Sequence, residues 1–113
     1  MGKYTEKRPW GIFERFTFNE VSTVKILTIK PKQKLSLQFH NHRREFWKFL
    51  DNPAKITIGG KKGIALKNDE FVIEPKENHR IEALDKPVRI LEISLGKFEE
   101  EDEKRIEDIY GRE

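Results

Sequence analysis

The chain has 113 residues, the commonest size for one domain around one hydrophobic core, which leaves no room for a second. Charged side chains make up 38% and hydrophobic ones 35%, so the core is lean, and the absence of cysteine excludes disulfides, thiolate metal sites and a cysteine nucleophile. The net charge of +3 hides an asymmetry, because residues 99–113 hold eight acidic and three basic side chains and a body of charge +8 thus carries a tail of −5.

Alternation with a period of two sets in at Val24-Lys25-Ile26-Leu27-Thr28-Ile29, the mark of a half-buried strand. Lys30-Pro31-Lys32-Gln33 is a turn signal. Leu35-Ser36-Leu37-Gln38-Phe39-His40-Asn41-His42 follows. As a strand it sends Leu35, Leu37 and Phe39 one way and Ser36, Gln38, His40 and His42 the other. A solvent-facing strand fits that polar face as well as a binding site does. Glu45 then opens the apolar strand Glu45-Phe46-Trp47-Lys48-Phe49-Leu50 after the short polar link Asn41 to Arg44. A carboxylate beginning a strand beside imidazoles on its hairpin partner is what a metal site of His and carboxylate requires.

Asp51-Asn52-Pro53 is the next turn, and Ala54-Lys55-Ile56-Thr57-Ile58 the next strand. Gly59-Gly60-Lys61-Lys62-Gly63, Asn68-Asp69 and Pro75-Lys76-Glu77-Asn78 are further turn signals. His79 starts the strand His79-Arg80-Ile81-Glu82-Ala83-Leu84, which puts it at a sheet end where it can face the same cavity as His40 and Glu45, although a histidine after a turn is commonly a surface residue. Asp85-Lys86-Pro87 precedes the strand Val88 to Leu95. Many short strands at close spacing imply an all-β antiparallel sandwich or barrel. The segment Glu99 to Tyr110 departs from this pattern. Its acidic start, Ile106, Ile109 and Tyr110 at helical spacing, and Gly111 as a cap predict a C-terminal α-helix over about 99–110.

The spacing of these residues resembles the first motif of the cupin superfamily, a glycine, His-x-His, a glutamate and a second glycine. Placing the paired histidines on His40 and His42 leaves too few residues before Glu45. Placing them on Gln38 and His40 gives the right interval, with glutamine for the first histidine and Lys32 and Asn52 at the glycine positions. The segment Leu35 to Trp47 further resembles the Leu-Ser-Leu-Gln-x-His-x-His-Arg-x-Glu-His-Trp signature of type II mannose-6-phosphate isomerases. Arg8-Pro9-Trp10-Gly11, Ala54 to Gly59, His79-Arg80-Ile81-Glu82 and Arg105 to Arg112 resemble other segments of that family, so the likeness runs from Arg8 to Arg112. Departures are Phe46 where the family has histidine, Lys48 within an apolar strand, Lys32 and Asn52 for glycines, Pro75-Lys76-Glu77 for Pro-x-Gly, and Ala83 for asparagine.

The resemblance implies a single cupin domain over residues 1–113, a jelly-roll barrel or double-stranded β-helix, standing as the isomerase module without the larger nucleotidylyltransferase domain that many relatives carry. It implies one divalent metal ion held by Gln38, His40, Glu45 and His79; Zn²⁺, Mn²⁺, Co²⁺, Ni²⁺ and Fe²⁺ all suit these donors. The implied reaction interconverts mannose 6-phosphate and fructose 6-phosphate through an enediolate. His42 is the expected base, with metal ligation or a surface position as its alternatives. Arg8, Arg43 and Arg112 are expected to bind the substrate phosphate, and Trp10 and Trp47 either shape the pocket or pack in the core. A non-catalytic metal- or sugar-binding cupin, or an isomerase for another sugar phosphate, are the competing functions. Nucleic acid is not expected as a partner, because the basic residues are scattered without interleaved aromatics.

Short apolar runs and a beginning, Met1-Gly2-Lys3-Tyr4, without an apolar signal core predict neither a membrane span nor a secretory leader, and so a cytoplasmic protein. High Lys and Glu content with no Cys and one Met suits a thermophile. Leu35, Leu37 and Phe39 are expected to form an apolar outer face through which the barrel pairs as a homodimer.

Overall fold

Pairing of the alternating segments builds the molecule, and the computed structural model describes residues 3–96 and 99–110. The strands are β1 (Tyr4–Arg8), β2 (Gly11–Arg15), β3 (Ser22–Ile29), β4 (Leu37–His40), β5 (Arg44–Phe49), β6 (Ala54–Ile58), β7 (Lys61–Ala65), β8 (Glu70–Ile73), β9 (His79–Ala83), β10 (Val88–Leu95) and β11 (Glu103–Glu107). A four-stranded sheet runs β3-β10-β5-β8 and a five-stranded sheet runs β11-β4-β9-β6-β7. All pairings are antiparallel. One face of each sheet turns inward, and Trp47, Phe49, Ile73 and Ile90 of the first meet Ile56, Ile81 and Ala83 of the second in one core. Burying each large apolar side chain stabilises the fold by roughly 1.5–3 kcal/mol.

Tight turns set the register. Gly59 sits at φ +61° between β6 and β7, where a Cβ would come 3.3 Å from the Glu77 carboxylate, so a left-handed residue without a side chain suits this turn. Lys32 and Lys76 also hold positive φ, 62° and 68°. The glycine-like turn geometry is therefore kept at both places, while lysine fills it.

The helix expected over 99–110 does not form. Glu100–Asp102 make one turn of 3₁₀ helix, and β11 then adds to the free edge of β4 in the register Glu103↔His40 and Arg105↔Gln38. The physical reason is twofold. An unpaired β4 edge offers backbone hydrogen bonds that a solvated helix cannot better, and the supposed apolar stripe has nothing to pack on, with Ile106 and Ile109 47% and 50% exposed. The alternation Glu103, Arg105 against Lys104, Ile106 instead sorts inward from outward. The acidic turn also has a task. Asp102 accepts hydrogen bonds from the backbone N–H groups of Asn41 (2.9 Å) and His42 (3.0 Å), and burial, which works against it, is outweighed by those bonds, holding its carboxyl below the usual range.

β1 and β2 pair only with each other as a two-stranded ribbon. Lys3 ties it to the barrel through Glu70 (3.0 Å). Phe16, just beyond the ribbon, packs on Phe46 with ring centroids 5.3 Å apart. Phe46 thus belongs to the outer face of the four-stranded sheet, on the side opposite Glu45 and Trp47. Lys48 shares that outer face and meets Glu70 at 3.0 Å. The grouping expected for Leu35, Leu37 and Phe39 also changes: Leu35 packs against the core and lines the interior, because the chain enters β4 only at Leu37.

Candidate metal centre

The site lies between the sheets toward the β3 and β11 edges, where the core gives way to a cavity of about 180 Å³ lined by polar side chains of β3, β4, β5, β9, β10 and β11. Alternation explains how they arrive. Gln38 and His40 are the inward residues of β4, Glu45 is the first inward residue of β5, and His79 begins β9 directly opposite Gln38. One ligand atom from each of His40, Glu45 and His79 falls within a span of 4.8 Å, and all three residues are buried.

Glu45 is the hub. It is 1% exposed, and its Oε1 accepts from the Trp47 indole Nε1 at 3.3 Å and faces His79 Nε2 at 3.8 Å. Its Oε2 meets Arg43 Nε at 3.1 Å, accepts from Ser94 Oγ at 3.5 Å and faces His40 Nδ1 at 3.8 Å. Trp47 backs the site from the core, edge-on to His79 with centroids 5.6 Å apart. His79 Nδ1 donates to the Glu77 carbonyl at 2.9 Å, which leaves Nε2 with a lone pair turned to the cavity. Burial, opposed by Glu45, holds the His79 imidazole below its ordinary range, so it is neutral at neutral pH, the state a metal ligand needs. Two imidazoles and a carboxylate, close and dry, fit a divalent first-row ion. Gln38, buried on the same wall, has a carbonyl oxygen to add to them.

Of the other sequence candidates among the described residues, only Arg43 lines this cavity. His42 is exposed on the turn between β4 and β5 and does not line the cavity; the strand ends at His40, so the alternation that was to turn His42 inward stops short. Arg8 is half-exposed at the end of β1, ion-paired with Glu6 and 5.3 Å above the Phe13 ring, away from the cavity lining. Arg112 lies outside the described residues. Trp10 is 72% exposed at the ribbon tip.

Four charged cavity residues escaped the motif reading: Lys25 on β3, Glu92 on β10, and Glu103 and Arg105 on β11. Alternation marks Lys25 and Glu92 as sharing a face with Leu27 and Ile90, but apolar neighbours make a lone charge look like an irregularity. Burial, joined by the Glu45 charge, pushes the Glu92 carboxyl up to about 7. Glu103 goes the other way, held below the usual carboxylate range by its interaction with His40, 3.9 Å from its Oε1, and by the charge of Arg105. A larger groove of about 530 Å³ between the β6–β7 hairpin and β8 is lined mainly by apolar groups and backbone. Among the described residues it brings together no cluster of metal-ligating side chains; these are gathered at the smaller cavity.

Two facing antiparallel sheets with histidines and a carboxylate aimed between them define a cupin, and a solved cupin protein from Bacteroides fragilis superposes with a TM-score of 0.62 at 26% identity, over 69% of this chain and 70% of that one. The sequence takes the assignment further. The family described as "Mannose-6-phosphate isomerase C-terminal" matches residues 3–108, and the chain belongs to it. Mannose-1-phosphate guanylyltransferase ManC of Salmonella typhimurium is 36% identical over 107 residues, and so is the alginate biosynthesis protein AlgA of Pseudomonas aeruginosa. Each match takes in 93% of this chain but 22% of the relative, so the chain spans about a fifth of the length of these proteins.

Proposed function

We propose that the chain is a metal-dependent aldose–ketose isomerase that interconverts mannose 6-phosphate and fructose 6-phosphate. The observation that carries this reading is the buried His40, Glu45 and His79 group inside a cavity that also holds cationic side chains, in a member of this family. A divalent ion held there by these residues and Gln38 would supply Lewis acidity to the carbonyl and hydroxyl oxygens at C1 and C2, which acidifies the proton on the hydroxyl-bearing carbon next to the carbonyl. The chain's own groups do the rest. Arg43, Arg105 and Lys25 offer positive charge for a phosphate. Glu92 and Glu103 are the carboxylates placed along the cavity to carry a proton between the two carbons. Trp47 and the rest of the core keep water from the side of the site they back.

The test pairs metal content of the purified chain with coupled conversion of mannose 6-phosphate, glucose 6-phosphate serving as comparison. Loss of both metal and turnover in His40→Asn and His79→Asn, with His42→Asn close to the parent, supports this reading. Bound metal without turnover of either sugar phosphate would turn it to a binding module.

A further inference from the structure

A buried carboxylate needs a counter-charge, and here one side chain supplies it from inside the ligand set. Arg43 is 5% exposed. Its Nε lies 3.1 Å from Glu45 Oε2 and its Nη2 lies 2.6 Å from His40 Nε2. A guanidinium only donates, so His40 Nε2 is the acceptor and its lone pair is already committed. One cation thus engages two of the three groups that would hold a metal. A lone pair cannot serve a guanidinium and a metal together, and two cations sharing one buried carboxylate repel.

We infer that the Arg43 guanidinium is the resident cation of this site, exchanging with the divalent ion, so that metal enters only as Arg43 leaves His40 and Glu45. This rests on the reading of His40, Glu45 and His79 as the metal-holding group. The chain is arranged for such an exchange. Arg43 is on the short link between β4 and β5, outside both strands, so moving its side chain breaks no ladder hydrogen bond. Without metal the guanidinium spares the fold an unpaired charge at Glu45. With metal that duty passes to the ion, and Arg43 becomes available to an anionic substrate. Metal affinity is therefore set partly by a competitor carried on the same chain, at a position that the sequence motif groups with the ligands.

The experiment titrates the metal-free full chain with Zn²⁺, and separately with Mn²⁺, by calorimetry, for the parent, R43Q and R43K. Thermal melts are recorded with and without saturating metal. R43Q is expected to bind at least tenfold more tightly than the parent, to melt lower without metal, and to close that gap when metal is saturating. R43K, whose single ammonium cannot make both contacts, is expected to fall between, and it carries the comparison if metal-free R43Q does not fold. Affinity that is unchanged or weaker in R43Q and R43K overturns the exchange, because an arginine that merely braced the ligands would weaken the site on removal. Binding by the variants alone supports the exchange, with the parent's competitor too strong for these ions. If no form binds either ion, the metal reading has failed and the exchange fails with it.

Discussion

Glu92→Gln is the perturbation whose size follows most directly from the cavity. Burial, reinforced by Glu45 and Glu103, raises the Glu92 carboxyl from 4.5 to about 7, against the smaller opposing pull of Arg43 and Lys25. A carboxyl raised on folding stabilises the fold fully below its unfolded value, and that contribution is lost as pH rises through the folded value. The window here runs from about pH 4.5 to about pH 7. At ~1.4 kcal/mol for each tenfold change in proton affinity, the cost to the folded state grows from about 1 kcal/mol at pH 5 to about 3 kcal/mol at pH 8. Glutamine copies the protonated acid in shape and never ionises. The metal-free variant should therefore match the parent within about 1 kcal/mol at pH 5 and exceed it by about 3 kcal/mol at pH 8. Urea unfolding followed by tryptophan fluorescence reads this directly, since Trp47 is buried in the core. Parallel pH profiles for the two proteins would refute the reasoning, as they would place Glu92 in an environment as wet as the unfolded chain.

Asp102→Ala removes the acceptor of two backbone hydrogen bonds on the turn between β4 and β5 and should cost about 2 kcal/mol at pH 7. Because the Asp102 carboxyl is held below its ordinary value of 3.8, the difference from the parent should persist above that pH and fade as pH falls through the lowered value, which acid titration of the melting temperature checks. Phe46→Ala should cost about 3–5 kcal/mol by opening a cavity under Phe16, yet leave Zn²⁺ affinity by calorimetry within twofold of the parent, since its ring is on the outer face. Lys32→Gly should stabilise by about 0.5–1 kcal/mol in urea, because lysine there bears the left-handed φ of 62° that glycine adopts freely.

Much of the barrel was legible because half-burial writes itself into alternation. The strands read at Val24–Ile29, Ala54–Ile58 and Val88–Leu95 appear as strands, although Val24 and Ile26 face outward, and the structure brings Glu45, His40 and His79 together. What stayed hidden was non-local. Residues 103–107 hold a helix-compatible pattern, and only the unpaired edge of β4, some sixty residues earlier, makes them a strand. That pairing delivers Glu103 and Arg105 to the cavity, so a misread element also concealed two site residues. His42 was misplaced for a simpler reason: periodicity shows which way a side chain points but not where the strand ends.

The positions at which this chain departs from its family's pattern bear on the choice between an isomerase and a disarmed barrel. Each is away from the cavity that holds the metal-ligating group. Lys32 and Lys76 occupy left-handed turns, and Asn52 donates from its side chain to the Pro87 carbonyl at 2.8 Å. Phe46 and Lys48 face outward on β5, and Ala83 is in the core. None of the six lines the cavity, where Gln38, His40, Glu45 and His79 all do. A barrel that had lost its reaction would be free to vary inside, where buried charges destabilise the fold and only function retains them. These six departures fall on the scaffold, while Glu45, Glu92 and Arg43 lie buried together at a cost in stability. An intact cavity of this kind is what the proposed isomerase requires.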